Sequence, residues 1–331
     1  ELSGRTLPAS NTGLHLTLLE PYGVVARIIP FNHPLMFSIY HIAAPLIAGN
    51  TVVLKAPDQT PVSPLEFGRI AAEILPPGVL SIITGTGRVT GESLVAHPDI
   101  RRIGFTGRKE TGLRVIEAAA QTGSLKNVTV ELGGKNPMIV FPDAAPEFVA
   151  EQAVAAMNFE SSQGQSCGST SRLLIHESLK DEVVEALVAR FSKIEVGHSL
   201  GTLTTMGPLV SELQASRVQG FINSGCRDGR SRLVIGGGTP ESCRELGGYF
   251  IEPTLFDNVS NNSALASEEI FGPVLSVLTW KNRDEVIAVA NNTNYGLTAN
   301  IITDNYSWAL DTARKMEAGC VWINGRGQHY L

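Results

Sequence analysis

Apolar residues recur along the 331-residue chain with two different periods. Short β-rich runs at 24–29, 51–54, 80–84, 100–105, 128–131, 138–141, 172–175, 274–279, 300–303 and 320–323 predict strands. Between several of them the period changes to 3.6. Phe67, Ile70, Ala71 and Ile74 fall on one helical face, as do Ala150, Ala153, Val154 and Met157, and then Leu179, Val183, Leu187 and Phe191. A further helix is predicted around 111–120. Strands alternating with helices predict an α/β fold of parallel sheets covered by crossover helices. Residues 1–22 differ: Leu14, Leu16 and Leu18 alternate with polar residues after a turn-like Asn11-Thr12-Gly13, which predicts a β-hairpin outside the core. The proline-flanked stretch 142–146 breaks the pattern and is a candidate domain boundary, and the polar, glycine-bearing stretch 197–205 predicts a loop.

Composition narrows the class. Apolar residues are 43% and charged residues 18%, enough to build buried cores and too apolar for a disordered chain. A formal charge of −6 gives no electrostatic reason to expect nucleic acid or an anionic membrane as partner. No apolar run reaches the ~18 residues that a membrane span needs. Cys167, Cys226, Cys243 and Cys320 lie far apart with no C-x-x-C pair, which suits neither a disulfide framework nor a zinc site. A reducing, cytoplasmic setting is the expectation. His33 and His41 lack the spacing of a helical metal site, so no metal is expected.

Several positions could carry chemistry, each beside a plainer reading. Cys167 sits among small polar residues and glycines in Gln163-Gly164-Gln165-Ser166-Cys167-Gly168, where backbone amides can approach and favour its thiolate. The plainer reading is a small buried hydrophobe. Cys320, inside a strand run, is expected to pack. Glu131 closes a β-run before Leu132-Gly133-Gly134, where open α/β sheets place ligand chemistry. It is either a general base or a solvated strand-end charge. Asn32, after Ile29-Pro30-Phe31, either donates to an oxyanion or makes an Asx turn before Pro34. Lys55, Pro57 and Asp58 follow the next strand, as ribose ligands or ordinary loop residues. Gly85, Gly87 and Gly91 are mis-spaced for a dinucleotide fingerprint, and Phe105-Thr106-Gly107 leads toward a helix N-terminus able to hold phosphate.

Taken in order, these segments resemble the aldehyde dehydrogenase superfamily. The resemblance rests on Pro30-Phe31-Asn32-His33-Pro34, Lys55-Ala56-Pro57-Asp58, Phe105-Thr106-Gly107, Glu131-Leu132-Gly133-Gly134-Lys135, Gly164-Gln165-Ser166-Cys167, Glu268-Glu269-Ile270-Phe271-Gly272-Pro273-Val274 and Asn294-Tyr295-Gly296-Leu297. It implies a Rossmann-like cofactor domain over 23–133, a catalytic domain over 134–318, a hairpin oligomerisation flap over 1–22 and a return segment toward the cofactor domain over 319–331. It implies Cys167 as the nucleophile that forms a thiohemiacetal and then a thioester. Asn32 would serve as oxyanion donor and Glu131 as the base for hydrolysis. Ile29, Pro30, Phe31, Asn32, Lys55, Pro57, Asp58, Gly87, Gly91, Phe105, Thr106, Gly107, Arg108, Thr111, Leu132, Glu269 and Phe271 match cofactor-binding positions. The implied cofactor is NAD, with NADP open, the substrate a small-molecule aldehyde, and the assembly a homodimer or homotetramer.

Three positions depart from the family pattern. Arg108 replaces a small residue, Phe31 a tryptophan, and Asp58 a glutamate. The shorter acid and the arginine leave NADP open. Both ends are expected to be missing from a longer polypeptide. The rival readings are a CoA-acylating dehydrogenase, against which Glu131 argues, and a fragment inert for want of its terminal segments.

Overall fold

The computed structural model describes residues 3–8 and 12–325. Parts of the expected flap and return segment, residues 1–2, 9–11 and 326–331, lie outside it. Chain contacts divide the protein into two compact units, 1–132 and 133–331. The stretch 142–146 is not a boundary: it only connects a strand to a helix inside the second unit.

The first unit opens with an antiparallel pair, β1 (Arg5–Leu7) and β2 (His15–Thr17), exposed at every position. Five parallel strands follow: β3 (Val24–Ile28), β4 (Thr51–Lys55), β5 (Leu80–Ile83), β6 (Ile100–Thr106) and β7 (Asn127–Glu131). They lie in the order β5-β4-β3-β6-β7. Helices α1 (Pro34–Ile47) and α2 (Val62–Ala71) pack one face around Val25, Val52 and Leu54. The other face packs on α3 (Glu92–Ala96) and α4 (Lys109–Ala120) around Ala26, Ile103 and Phe105. Alternate strand residues thus bury on opposite faces, as a doubly covered parallel sheet requires. Helix α2 stops at Ala71, and Ile74, expected on its apolar face, is 78% exposed in the turn beyond.

The second unit holds seven strands: β8 (Pro137–Val140), β9 (Arg172–His176), β10 (Arg232–Ile235), β11 (Thr254–Asp257), β12 (Val274–Trp280), β13 (Thr298–Ile302) and β14 (Cys320–Ile323). Their order is β10-β11-β12-β9-β8-β13-β14. All pairs are parallel except β10 with β11, so this sheet is mixed. Those two four-residue strands carry too few alternations to read from sequence, and only their pairing defines them. Helices α5 (Pro146–Ala156) and α7 (Lys180–Phe191) cover one face, with the short α6 (Phe159–Ser162) leading out of α5. Helices α8 (Glu212–Arg227), α10 (Arg283–Asn291) and α11 (Tyr306–Lys315) cover the other, with the short α9 (Ala264–Ser267). The run 320–323, expected within a return segment, is the edge strand of this sheet beside β13. Cys320 is exposed there instead of packed.

Candidate active site

Because β3–β7 are all parallel, their carboxyl ends share one edge of the sheet, and the winding reverses between β3 and β6. Ligand crevices form at such an edge. Every first-unit site residue expected from the sequence emerges there. Ile29, Pro30, Phe31 and Asn32 follow β3; Lys55 ends β4 and Pro57 and Asp58 follow it. Gly87 and Gly91 bound a π-helical turn after β5, capped by Thr86 Oγ1 accepting from the Val89 N–H at 3.3 Å. Phe105 and Thr106 end β6, Gly107 and Arg108 lead into α4 where Thr111 sits, and Glu131 ends β7 with Leu132 behind it.

Local detail shows how each position is held. Asn32 is half-buried and its Oδ1 has no hydrogen-bond partner among the described residues. The Asx turn does not form, since the residue two places on is Pro34, which has no N–H. Pro34 instead begins α1, the first helical position where proline costs nothing. Lys55 is 4% exposed with Asp58 3.8 Å away. Burial pushes its ammonium below the usual lysine value, and Asp58 partly restores it. Gly85 has φ +130°, and a Cβ there would lie 2.0 Å from Thr90 Oγ1, so only glycine makes this turn. Arg108 is the N-cap residue of α4, and its side chain makes no capping bond there. Glu131 is exposed.

In the second unit Cys167 is half-buried on the loop between α6 and β9, at the amino end of β9. Two consecutive left-handed residues, Gln163 and Gly164, shape the approach to it. A Cβ on Gly164 would lie 2.3 Å from the Gly272 carbonyl oxygen, which packs this loop against the Phe271-Gly272-Pro273 segment. Asn136, 1% exposed, donates from Nδ2 to the carbonyls of Cys167 at 2.7 Å and Ser169 at 3.0 Å. The buried-hydrophobe reading fits Cys243 better: it is 2% exposed and its thiol donates to the Val196 carbonyl.

The paired glycines separate two groups. A Cβ on Gly133 would lie 2.2 Å from Glu269 Oε2, and one on Gly134 would lie 2.6 Å from the Cys167 carbonyl oxygen. The Gly134 N–H donates to Glu269 Oε1 at 3.0 Å, and Glu269 is 8% exposed. Phe271 takes φ +60°, costly for an aromatic residue. Gln214 on α8 donates to the Ile270 and Phe271 carbonyls at 3.3 and 2.7 Å, and Arg217 to the Glu269 carbonyl at 2.6 Å. Asn136, Gln214 and Arg217 escaped the sequence reading. Asn136 directly follows the Glu131–Lys135 run, whereas the other two lie more than fifty residues from what they hold and give no local signal.

Among the described residues no group of three or more His, Cys, Asp or Glu is arranged to hold a metal ion, and no helix is long and apolar enough to cross a membrane.

The chain belongs to the aldehyde dehydrogenase family: the model described as "Aldehyde dehydrogenase family" matches residues 1–330. Aldehyde dehydrogenase tropH of Talaromyces stipitatus is 41% identical, with 100% of this chain aligned to 64% of that protein. The crystal structure of a putative aldehyde dehydrogenase from Burkholderia cenocepacia is 38% identical with TM-score 0.94, covering 99% of this chain and 66% of that one. An NAD+ complex of an aldehyde dehydrogenase from Bacillus cereus is 38% identical with TM-score 0.93, at 99% and 65% coverage. The chain thus spans about two thirds of the length of the relatives it matches.

Proposed function

We propose that this chain carries the nucleophile and cofactor positions of an NAD-dependent aldehyde dehydrogenase that yields a carboxylic acid. The observation that carries the reading is Cys167: a half-exposed thiol on a loop pinned by a fully buried amide, inside a chain that matches the family from end to end.

The residues present fit a dinucleotide. Lys55 and Asp58 offer a buried ammonium and an exposed carboxylate to ribose hydroxyls, and the positive end of the α4 dipole suits a pyrophosphate. Glu269 and Phe271 would hold the nicotinamide end. When bound, the nicotinamide supplies the two-electron acceptor. Cys167 attacks the aldehyde carbon as thiolate, and the Asn32 amide and the Cys167 N–H hold the resulting oxyanion. After oxidation the acyl group remains on sulfur as a thioester. Glu131 takes a proton from water, which adds to the acyl carbon and releases acid and thiol.

NAD is favoured over NADP because the Asp58 carboxylate would repel a 2′-phosphate. A higher kcat/KM with NAD is expected, and a clear preference for NADP would reverse that choice. The exposed β1–β2 hairpin, with Leu7, Leu14 and Leu16 open to solvent, suits a homo-oligomer contact.

The test is cofactor reduction with a simple aldehyde. Cys167→Ala should lose about 10⁴-fold or more in turnover. Glu131→Gln should give one burst of reduced cofactor and then stall. Wild-type steady-state turnover by Glu131→Gln would remove that base from the reading.

A further inference from the structure

We infer that Asn136 is the positioning residue that sets the Cys167 peptide for attack, and that Gly134 must be glycine to leave that amide room. The inference rests on the reading of Cys167 as nucleophile. The loop around Cys167 runs between α6 and β9 without a strand ladder, so its carbonyls need partners from elsewhere. Asn136 supplies them. Its two amide hydrogens go to alternate carbonyls of one loop, Cys167 and Ser169, and its Oδ1 accepts the Thr298 N–H at 3.2 Å. That leaves the side chain fully engaged between the start of β8, the start of β13 and the cysteine loop.

Fixing the Cys167 carbonyl fixes the plane of the peptide that follows it, and with it the backbone angle that aims Cβ and Sγ. Gly134 gives an independent sign of the same device. A Cβ there would come within 2.4 and 2.8 Å of the Asn136 amide atoms and 2.6 Å of the Cys167 oxygen. Any side chain at 134 would therefore displace the amide from the carbonyl it holds.

Donor and volume roles predict opposite orders of damage. Asn136→Asp keeps the shape and, as a carboxylate, loses both donors. Asn136→Ser loses volume and keeps one donor. The measurement is the rate of Cys167 alkylation by iodoacetamide, followed by peptide mass spectrometry well below each variant's melting temperature. The exposed Cys226 and Cys320 serve as references in the same sample. Asn136→Asp and Gly134→Ala should slow Cys167 by about tenfold with both references unchanged, and Asn136→Ser should fall between them and wild type. In turnover the loss should appear in kcat, with KM for the aldehyde within about twofold. Equal rates in all variants, or Asn136→Ser slower than Asn136→Asp, would overturn the inference. A wild-type Cys167 no more reactive than Cys226 would overturn the nucleophile reading, and this inference with it.

Discussion

Lys135, next to the paired glycines, shows what a single residue can cost. The residue is 1% exposed, and its ammonium has no hydrogen-bond partner among the described residues. Burial pushes its pKa down to about 7, Arg172 adds to that, and Glu269 and Glu268 oppose it. Arg172, 0% exposed, gives its donors to the carbonyls of Lys135, Val289 and Ala290, so it is satisfied where the lysine is not. Between about pH 7 and the ordinary lysine value near 10.4, the unfolded chain binds a proton that the folded chain does not. Stability gained from this group therefore rises with pH across that window. Lys135→Met should stabilise the second unit by about 1–4 kcal/mol below pH 7, with the gain fading toward pH 10. Denaturant unfolding followed by tryptophan fluorescence would check it, because Trp280, Trp308 and Trp322 all lie in that unit. A gain that did not vary with pH would contradict the account. At this scale the sequence was informative about reactive side chains, since Cys167, Glu131 and Asn32 sit in short distinctive motifs. It said nothing of Lys135's missing partner, because partners depend on which strands meet.

Whole elements decide how those residues are held. Helix α8 clamps the Glu269–Phe271 segment through Gln214 and Arg217, holding Phe271 in a left-handed conformation that costs about 1–3 kcal/mol when unsupported. Gln214→Ala should raise KM for NAD several-fold while changing kcat less, measured by steady-state kinetics at saturating aldehyde. Unchanged KM would mean that the clamp does not reach the cofactor site. Helix α1 shows why some elements escape a periodicity reading. Apolar Leu35, Met36, Ile39, Tyr40 and Ile47 are exposed, polar Ser38 is buried, and Pro45 sits inside the helix. Ser38 is accommodated by donating to the Pro34 carbonyl at 2.7 Å. With apolar residues on all sides, no single face stands out. Helices α5 and α7 were legible for the opposite reason: most of their apolar residues face one core, with Phe148 and Ala189 the exposed exceptions.

At the scale of the whole molecule, burial is uneven. Every residue of β8 and β13 is buried, as is nearly every one of β9 and β12, whereas every residue of β1 and β2 is exposed. Native-state hydrogen exchange should therefore find the slowest amides in β8, β9, β12 and β13, and β1–β2 amides exchanging first. Protection of β1–β2 comparable to β9 would show that the hairpin is covered in solution. The sequence by itself determined the alternation of strands and helices, the α/β class, the exposed hairpin and the motifs that carry the family. These are local properties: periodicity, turn chemistry and short runs of reactive residues. Only the tertiary structure decided that β10 runs antiparallel, that 320–323 is an edge strand of the second sheet, and that Asn136, Gln214 and Arg217 hold the site. Each of those facts is a contact between segments far apart in the chain. Such contacts are chosen by which surfaces bury together and which carbonyls still need a donor, and no window of sequence contains both partners.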